Sequence, residues 1–276
     1  MHERHEVGYV RTLSGRSKAY RLQVSITSFY DFHSGISEPR TVARLFGRFE
    51  VFCAGVRVDA RLPPQARVLL AYLLVHRGET LRRDHLAERL WPQNQPVDAR
   101  SALRHALVAI ARALPPATVP WLACGARSVT WCGDDAATWV DAREFEALSA
   151  GNETLEEEAH LYRGDFAPGL DHPWVNDLRE RHRARSSWAL DELMTRYAAR
   201  HDMRGALAYG EALLELDPWR EDALCNTMLF RYRLGDRAGS LWAYRRFCLR
   251  LKDEFGIEPM PMTQRCYAAI SAKVRL

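Results

Sequence analysis

The side chains best placed to do chemistry in this chain are arginines. Arg100, Arg104 and Arg112 lie within one short stretch, with Ser101, His105 and Val108 among them. Residues 69–114 read as three successive helices. On the third, Leu103, Ala106, Leu107, Ile110 and Leu114 recur at steps of three and four, the signature of one buried helical face. Arg100, Ser101, Arg104, His105, Val108 and Arg112 then fall on the opposite face. A helix that buries one side and offers guanidinium groups on the other suits a polyanion. The guanidinium fork binds phosphate oxygens, or pairs two-pronged with a guanine edge for about 1–3 kcal/mol of base discrimination. A lone exposed arginine is ordinarily just solvated; placement on the third of three helices sets these apart.

No competing chemistry of similar strength is present. Neither GxxxxGK[ST] nor GxGxxG occurs, so no phosphate-cradling loop is expected. HExxH and GxSxG are missing as well. Glu156–Glu158 sits on an expected helix and needs no active site. The chain therefore reads as a non-enzyme, with no cofactor and no metal site. The six cysteines (Cys53, Cys124, Cys132, Cys225, Cys248, Cys266) include no CxxC pair and read as small buried hydrophobes of a reducing cytoplasm. Cys124 and Cys132 flank an expected hairpin, which a disulfide would bridge.

Around the arginines, short β-rich runs begin at Thr41: VARLFG, RFEVFC and, past Ala54-Gly55, GVRVDA. Pro63-Pro64 opens a first helix, with Val68, Leu69, Tyr72, Leu73 and Val75 or His76 as its apolar stripe, and Gly78 ends it. A second helix spans Arg82 to Trp91 and stops at Pro92. The third starts after Asp98, read as its N-cap, and ends at Pro115-Pro116. VPWLACG and RSVTWC then form a hairpin around Gly125-Ala126-Arg127, with Trp91 and Trp121 in the core. Sheet, three helices and hairpin are the order of a winged helix-turn-helix, over residues 41–133. Residues 1–40 carry no clear period and read as a partly disordered extension, or as the product of a misplaced start codon.

Past a linker at Gly133-Asp134-Asp135 the pattern is helical to the end, with no strand signal. The expected helices are Ala142–Leu148, Leu155–Tyr162, Val175–Ala199, Arg204–Leu216, Arg220–Leu234, Ala238–Phe255 and Met262–Val274. A shift of 34 residues lays His201–Leu207 on Gly235–Leu241, with Ser240 falling on Ala206. Leu190, Tyr197, Ala206, Leu213 and Pro218 occupy the packing positions of a tetratricopeptide unit. Residues 139–276 thus form an all-α tetratricopeptide-like domain, with a plain helical bundle as the alternative. Arg179, Arg181, Arg183 and Arg185 read as a face laced with salt bridges. The basic helix pair from Arg231 to Lys252 could face DNA or an acidic partner. Trp219, Tyr232, Trp242 and Tyr244 read as repeat packing.

The whole is mainly α: a winged helix-turn-helix (α+β) followed by a helical domain. At 276 residues and 47% hydrophobic there is enough chain for about two cores. The formal charge of +4 permits nucleic-acid binding without demanding it. Only three lysines (Lys18, Lys252, Lys273) accompany the arginines, a bias that a GC-rich genome produces by itself. No run of about 18 apolar residues suggests a membrane span. The start lacks a charged-then-apolar signal pattern, and a cytoplasmic location is expected.

The residues also resemble a family, the bacterial regulators that join an OmpR-type winged helix to a bacterial transcriptional activator domain. The Streptomyces antibiotic regulatory proteins are among its members. The resemblance runs from Val42 to Ile270 and rests on LLAYLL, LAERLW and ARSALRHAL in the first domain. In the second it rests on LYRGDFAPGL, LLELDPWREDA and LKDEFGIEPMPMT. It implies a third helix in the major groove, a wing reaching backbone or minor groove, and double-stranded DNA as partner. It also implies contacts of the helical domain with RNA polymerase and a homodimer on repeated half-sites.

On that reading Arg104 is the candidate for a base edge. Ser101 and His105 read bases or phosphates, and Arg100 and Arg112 grip phosphates. Val108 meets a thymine methyl or a partner protein, and Arg127 probes the groove beside the wing. Two departures stand out. Ala109 and Ala111 replace arginines of the family pattern, and Arg82 replaces a capping serine. The expected function is a sequence-specific transcriptional regulator, an activator. The alternative is a protein–protein adaptor whose winged domain has lost DNA binding.

Overall fold

The computed structural model describes residues 40–117, 119–133, 137–149 and 155–272. The extension up to residue 39, and Asp134 and Asp135 of the expected linker, lie outside the described residues. Three strands open the fold: β1 (Thr41–Arg44), β2 (Glu50–Cys53) and β3 (Val56–Arg57). They pair antiparallel, with Thr41 opposite Cys53, Arg44 opposite Glu50 and Phe52 opposite Arg57. Ala54-Gly55 closes the second hairpin with both residues at positive φ (46° and 75°), the hand that suits strand twist in a two-residue turn.

Helices α1 (Pro64–Val75), α2 (Arg83–Leu90) and α3 (Pro96–Ala113) follow. The continuous apolar run of α1 makes it buried all round from Leu69 to Val75, wider than the stripe expected. α3 begins two residues before the expected cap: Pro96 takes the first turn, where a missing N–H costs nothing, and Gln95 is the N-cap. Asp98 sits inside the first turn, where a carboxylate favours the helix dipole. β4 (Leu81–Arg82) pairs with β6 (Ser128–Trp131), and β6 with β5 (Leu122–Cys124), which makes the wing. Cys124 lies opposite Val129, whereas the Cys132 amide bonds the Trp121 carbonyl at 2.8 Å. The hairpin register thus separates the two thiols, and both cysteines are free.

One strand lies where only helix was expected. β7 (Thr138–Val140) pairs parallel to β1, Thr41 opposite Thr138, and extends the first sheet to the order β3-β2-β1-β7. Three residues carry no readable period, and the partner strand lies far upstream. Asp141, next in the chain, is 5% exposed and accepts the Leu45 amide (2.8 Å) and the Phe46 amide (3.0 Å). Two glycines make a backbone-to-backbone contact beside it. A Cβ on Gly164 would meet the Gly47 Cα at 3.1 Å, and one on Gly47 the Arg163 carbonyl oxygen at 2.4 Å.

The helical half comprises α4 (Asp141–Leu148), α5 (Leu155–Leu161), α6 (Pro173–Ala199), α7 (Met203–Leu216), α8 (Glu221–Arg233), α9 (Arg237–Phe255) and α10 (Pro261–Ser271). A single large apolar cluster runs from Ala43 to Leu178, through the sheet, the three helices, the wing and the start of α6. Phe46 sits among Phe145, Tyr162, Phe166 and His182, with ring centroids 5.1–6.3 Å away. The repeat helices beyond pack through smaller clusters.

The 34-residue period is visible atom by atom. Asp202 caps α7 by accepting the Gly205 amide at 2.9 Å, and Asp236 caps α9 by accepting the Gly239 amide at 2.8 Å. His201 (φ 60°) and Gly235 (φ 87°) take the same left-handed position before those caps. Ala206 and Ser240 are both fully buried, the serine hydroxyl donating to the Met228 carbonyl at 2.8 Å. Trp242 departs from the expected packing: it is 60% exposed, with only the Arg246 guanidinium over its ring. The cysteines also differ from expectation, since Cys53 alone among the six is buried and Cys124 is exposed.

Candidate nucleic-acid interface

The face proposed from sequence assembles at the end of the winged half. Leu103, Ala106, Leu107 and Ile110 of α3 are buried, whereas Arg100, Arg104, His105, Val108 and Arg112 are exposed and Ser101 is half-buried. α3 packs on α1 and α2 through its apolar side. The turn from α2 to α3 is short because Trp91 ends α2, and the Asn94 amide returns to the Trp91 carbonyl at 3.1 Å.

The arginines on this face are not equivalent. Arg100 donates from Nε to Asp84 at 3.0 Å, an exposed pair worth roughly 0–1 kcal/mol that a phosphate can displace. Arg104 reaches only Ser101 Oγ, at a long 3.4 Å. Among the described residues Arg112 and Arg127 have no ion pair. Val108, 43% exposed, adds an apolar spot beside Arg104.

The wing stands next to this helix pair. Its tip is closed by the Gly125 amide to the Ser128 carbonyl (3.0 Å), which leaves Arg127 exposed at the turn. The Arg127 carbonyl accepts the Arg83 amide at 2.9 Å, so the tip is tied to the first residue of α2. That register brings exposed Arg82 beside the tip, opposite Ser128. In the sequence Arg82 stands out only as a missing cap. Indeed no side chain caps α2. The pairing of β4 with the wing is what recruits it, and LR alone gives too short a run to reveal that pairing.

Behind the face, His172 joins the end of α2 to the start of α6. Its Nδ1 accepts the Trp174 amide at 3.3 Å, so Nε2–H donates to the Leu90 carbonyl at 3.0 Å. Burial lowers the His172 pKa, which suits this neutral form. Tyr72 of α1 meets the Trp174 ring edge-on at 5.1 Å. The helix pair that carries the arginines is therefore seated on the helical half.

In the helical half several arginines are held by the fold, while others, Arg181 and Arg204 among them, stay exposed. Arg179 donates to the carbonyls of Phe166, Ala167 and Leu170 and to Asn176. Arg183 bonds the Leu216 carbonyl, and Arg185 clasps the fully buried Glu158 through two bonds of 2.7 and 2.8 Å. The expected salt-laced face is thus partly a set of carbonyl clamps. On the basic helix pair, Arg231 engages Glu211 and Asp236, and Arg237 the carbonyls of Ile270 and Ser271. Among the described residues no cluster of three or more metal-ligating side chains occurs, and no helix is long and apolar enough to cross a membrane.

A family model described as the bacterial transcriptional activator domain matches residues 136–271. Regulatory protein AfsR of Streptomyces coelicolor is 30% identical over 213 residues, covering 73% of this chain and 21% of AfsR. The chain thus spans about one fifth of AfsR's length. Transcriptional regulatory protein MoaR1 of Mycobacterium tuberculosis is 24% identical over 255 residues, which is 82% of this chain and 78% of MoaR1. The solved structure of Mycobacterium tuberculosis EmbR, in complex with a low-affinity phosphopeptide, superposes with a TM-score of 0.60 at 23% identity. It covers 87% of this chain and 67% of that one.

Proposed function

This chain carries a bacterial transcriptional activator domain and belongs with the regulators built on it, similar to the Streptomyces antibiotic regulatory proteins; on that premise we propose that it is a sequence-specific DNA-binding transcriptional regulator, an activator. A winged domain of residues 41–133 binds duplex DNA with α3 in the major groove. A helical domain of residues 139–276 pairs protomers and contacts RNA polymerase. One observation carries the reading: the polar face of α3 and the wing tip are left bare by the rest of the described chain.

On this face Arg104, with Ser101 and His105 beside it, reads base edges, and Val108 meets a thymine methyl. Arg100 and Arg112 hold phosphates at either end of the helix. Arg127, joined by Arg82, reaches the backbone or minor groove beside the wing. Ala109 and Ala111 leave few phosphate contacts per protomer. Two protomers on neighbouring half-sites offset that through effective concentration.

Selection from random duplexes tests the reading. Enrichment of a repeated half-site, with affinity falling steeply as salt rises, supports it. Absence of any duplex binding at low salt overturns it in favour of an adaptor that acts through protein contacts alone.

A further inference from the structure

From Arg237 to Lys252, helix α9 carries the cations Arg237, Arg245, Arg246, Arg250 and Lys252 and no carboxylate. Arg237 is taken up by the carbonyls of Ile270 and Ser271. The other four are exposed, and among the described residues none of them has an ion pair, unlike Arg220 and Arg231 on the neighbouring turns. α10, packed alongside, adds exposed Arg265 and no carboxylate. Acidic side chains return only at Asp253 and Glu254, where α9 ends.

The orientation of α9 is set from inside. Phe247 and Leu251 are buried, the Ser240 hydroxyl donates to the Met228 carbonyl, and Tyr244 stacks on Tyr267 with centroids 4.2 Å apart. Trp242 and Leu249 are seven positions apart, two turns, so they share the centre of the opposite face. They are 60% and 65% exposed. Helical spacing puts Arg245 and Arg246 on either side of the line that joins them, with Lys252 and Arg250 farther out on the same two sides. The Arg246 guanidinium lies over the Trp242 ring at 4.9 Å, and that of Arg250 over the Trp219 ring at 5.1 Å. A ring face holds each of these cations in place without using its N–H donors.

We propose that this face docks an acidic amphipathic helix of a partner protein. Two apolar side chains of that helix, about 10 Å apart along its axis, meet Trp242 and Leu249, and carboxylates on both flanks meet the four cations. Charge complementarity selects the occupant. Duplex DNA would use the cations but leave an indole and a leucine in water. An anionic bilayer suits a continuous apolar stripe, whereas here arginines interrupt the two apolar side chains. A second copy paired two-fold through the same face would set like charges against each other. Tryptophan and arginine are also the side chains that most often anchor a protein interface. The proposal goes beyond the DNA-binding reading and does not depend on it.

The full chain tests it against phage-displayed random peptides at low salt. Sequences with Asp or Glu between apolar residues at helical spacing should be enriched. Anisotropy of one labelled enriched peptide should show affinity that falls as salt rises. Trp242→Ser and Leu249→Ser should each weaken it about tenfold, and Arg245→Glu combined with Arg246→Glu by at least about tenfold. All four side chains are exposed, so the melting temperature and duplex binding should both be unchanged. Arg204→Glu, which reverses an exposed charge on α7, should alter peptide affinity by less than about twofold. No enrichment, enrichment of basic or neutral sequences, full binding by Trp242→Ser, or an equal loss with Arg204→Glu would each overturn the proposal. So would a different occupant: duplex DNA, vesicles of anionic lipid, or a second copy of the chain in sedimentation, held by the wild type and lost with Arg245→Glu and Arg246→Glu.

Discussion

The outer face of α3 with the wing tip, and the helices around α6 to α9, draw on the same abundant side chain and use it in contrasting ways. Around α6 to α9, several arginines are anchored: Arg179 on three carbonyls, Arg185 on a buried carboxylate, Arg231 on Glu211 and Asp236. On α3 and the wing, Arg104, Arg112 and Arg127 end in solvent without an ion pair among the described residues, and Arg100 has a single exposed partner. An anchored guanidinium has spent its donors on the fold, whereas a bare one keeps all five for a ligand. Arginine count therefore says little about function in this chain, and arginine partnership says much.

The contrast breaks most visibly at Arg185. Arg185→Ala strips a fully buried Glu158 of its cation and should cost roughly 3–5 kcal/mol in thermal or urea unfolding, with Ser149 left as a neutral donor. A loss below about 1 kcal/mol would mean that the clamp does not hold the helical half.

Asp141 sharpens the contrast, because its partners are peptide N–H groups rather than a guanidinium. Burial raises its pKa to about 6, against the pull of the Phe46, Leu45 and Ala142 amides. A carboxyl raised in the folded state favours folding at low pH, and the gain fades as pH rises through the folded value. Relative to Asp141→Asn, the protein should gain about 3 kcal/mol in total on acidification, about 1 of it between pH 7 and pH 5. Urea titrations of both at the two pH values check the sign. A difference that shrinks on acidification would show that the amides outweigh burial.

Arg104→Ala should leave stability within about 0.5 kcal/mol, since nothing in the fold leans on it. It should lower discrimination at one base position by about 1–3 kcal/mol in competition binding against selected duplexes. The smallest effect is expected at Arg112. Its alanine variant should weaken all duplexes alike and flatten the slope of log affinity against log salt by about 0.9. Equal sequence relaxation by both variants would erase the assigned division between reading and gripping.

Much of this was legible because it is local. Proline and glycine punctuation marks the helix ends, the 3.6 period sorts α3 into two faces, and the 34-residue shift foretells the twin caps at Asp202 and Asp236. What escaped is non-local. β7 is three residues long and finds its partner across the chain. Arg82 joins the wing through a two-residue strand. The carbonyls that hold Arg179, and the contact of Cys266 Sγ with the Cys225 carbonyl, depend on how the chain packs. Trp242 shows the converse failure: a large aromatic at a plausible packing position faces outward.

β7 ties the stretch beyond the wing to the first sheet. By docking on β1, with Asp141 gripping the next two amides, β7 turns the chain back into the first sheet. Cutting the chain at Gly133 would strip an edge from that sheet and leave the Leu45 and Phe46 amides without their acceptor. Among the described residues the sheet, the three helices and the start of α6 share one apolar core, so a displacement of either half is felt by the other.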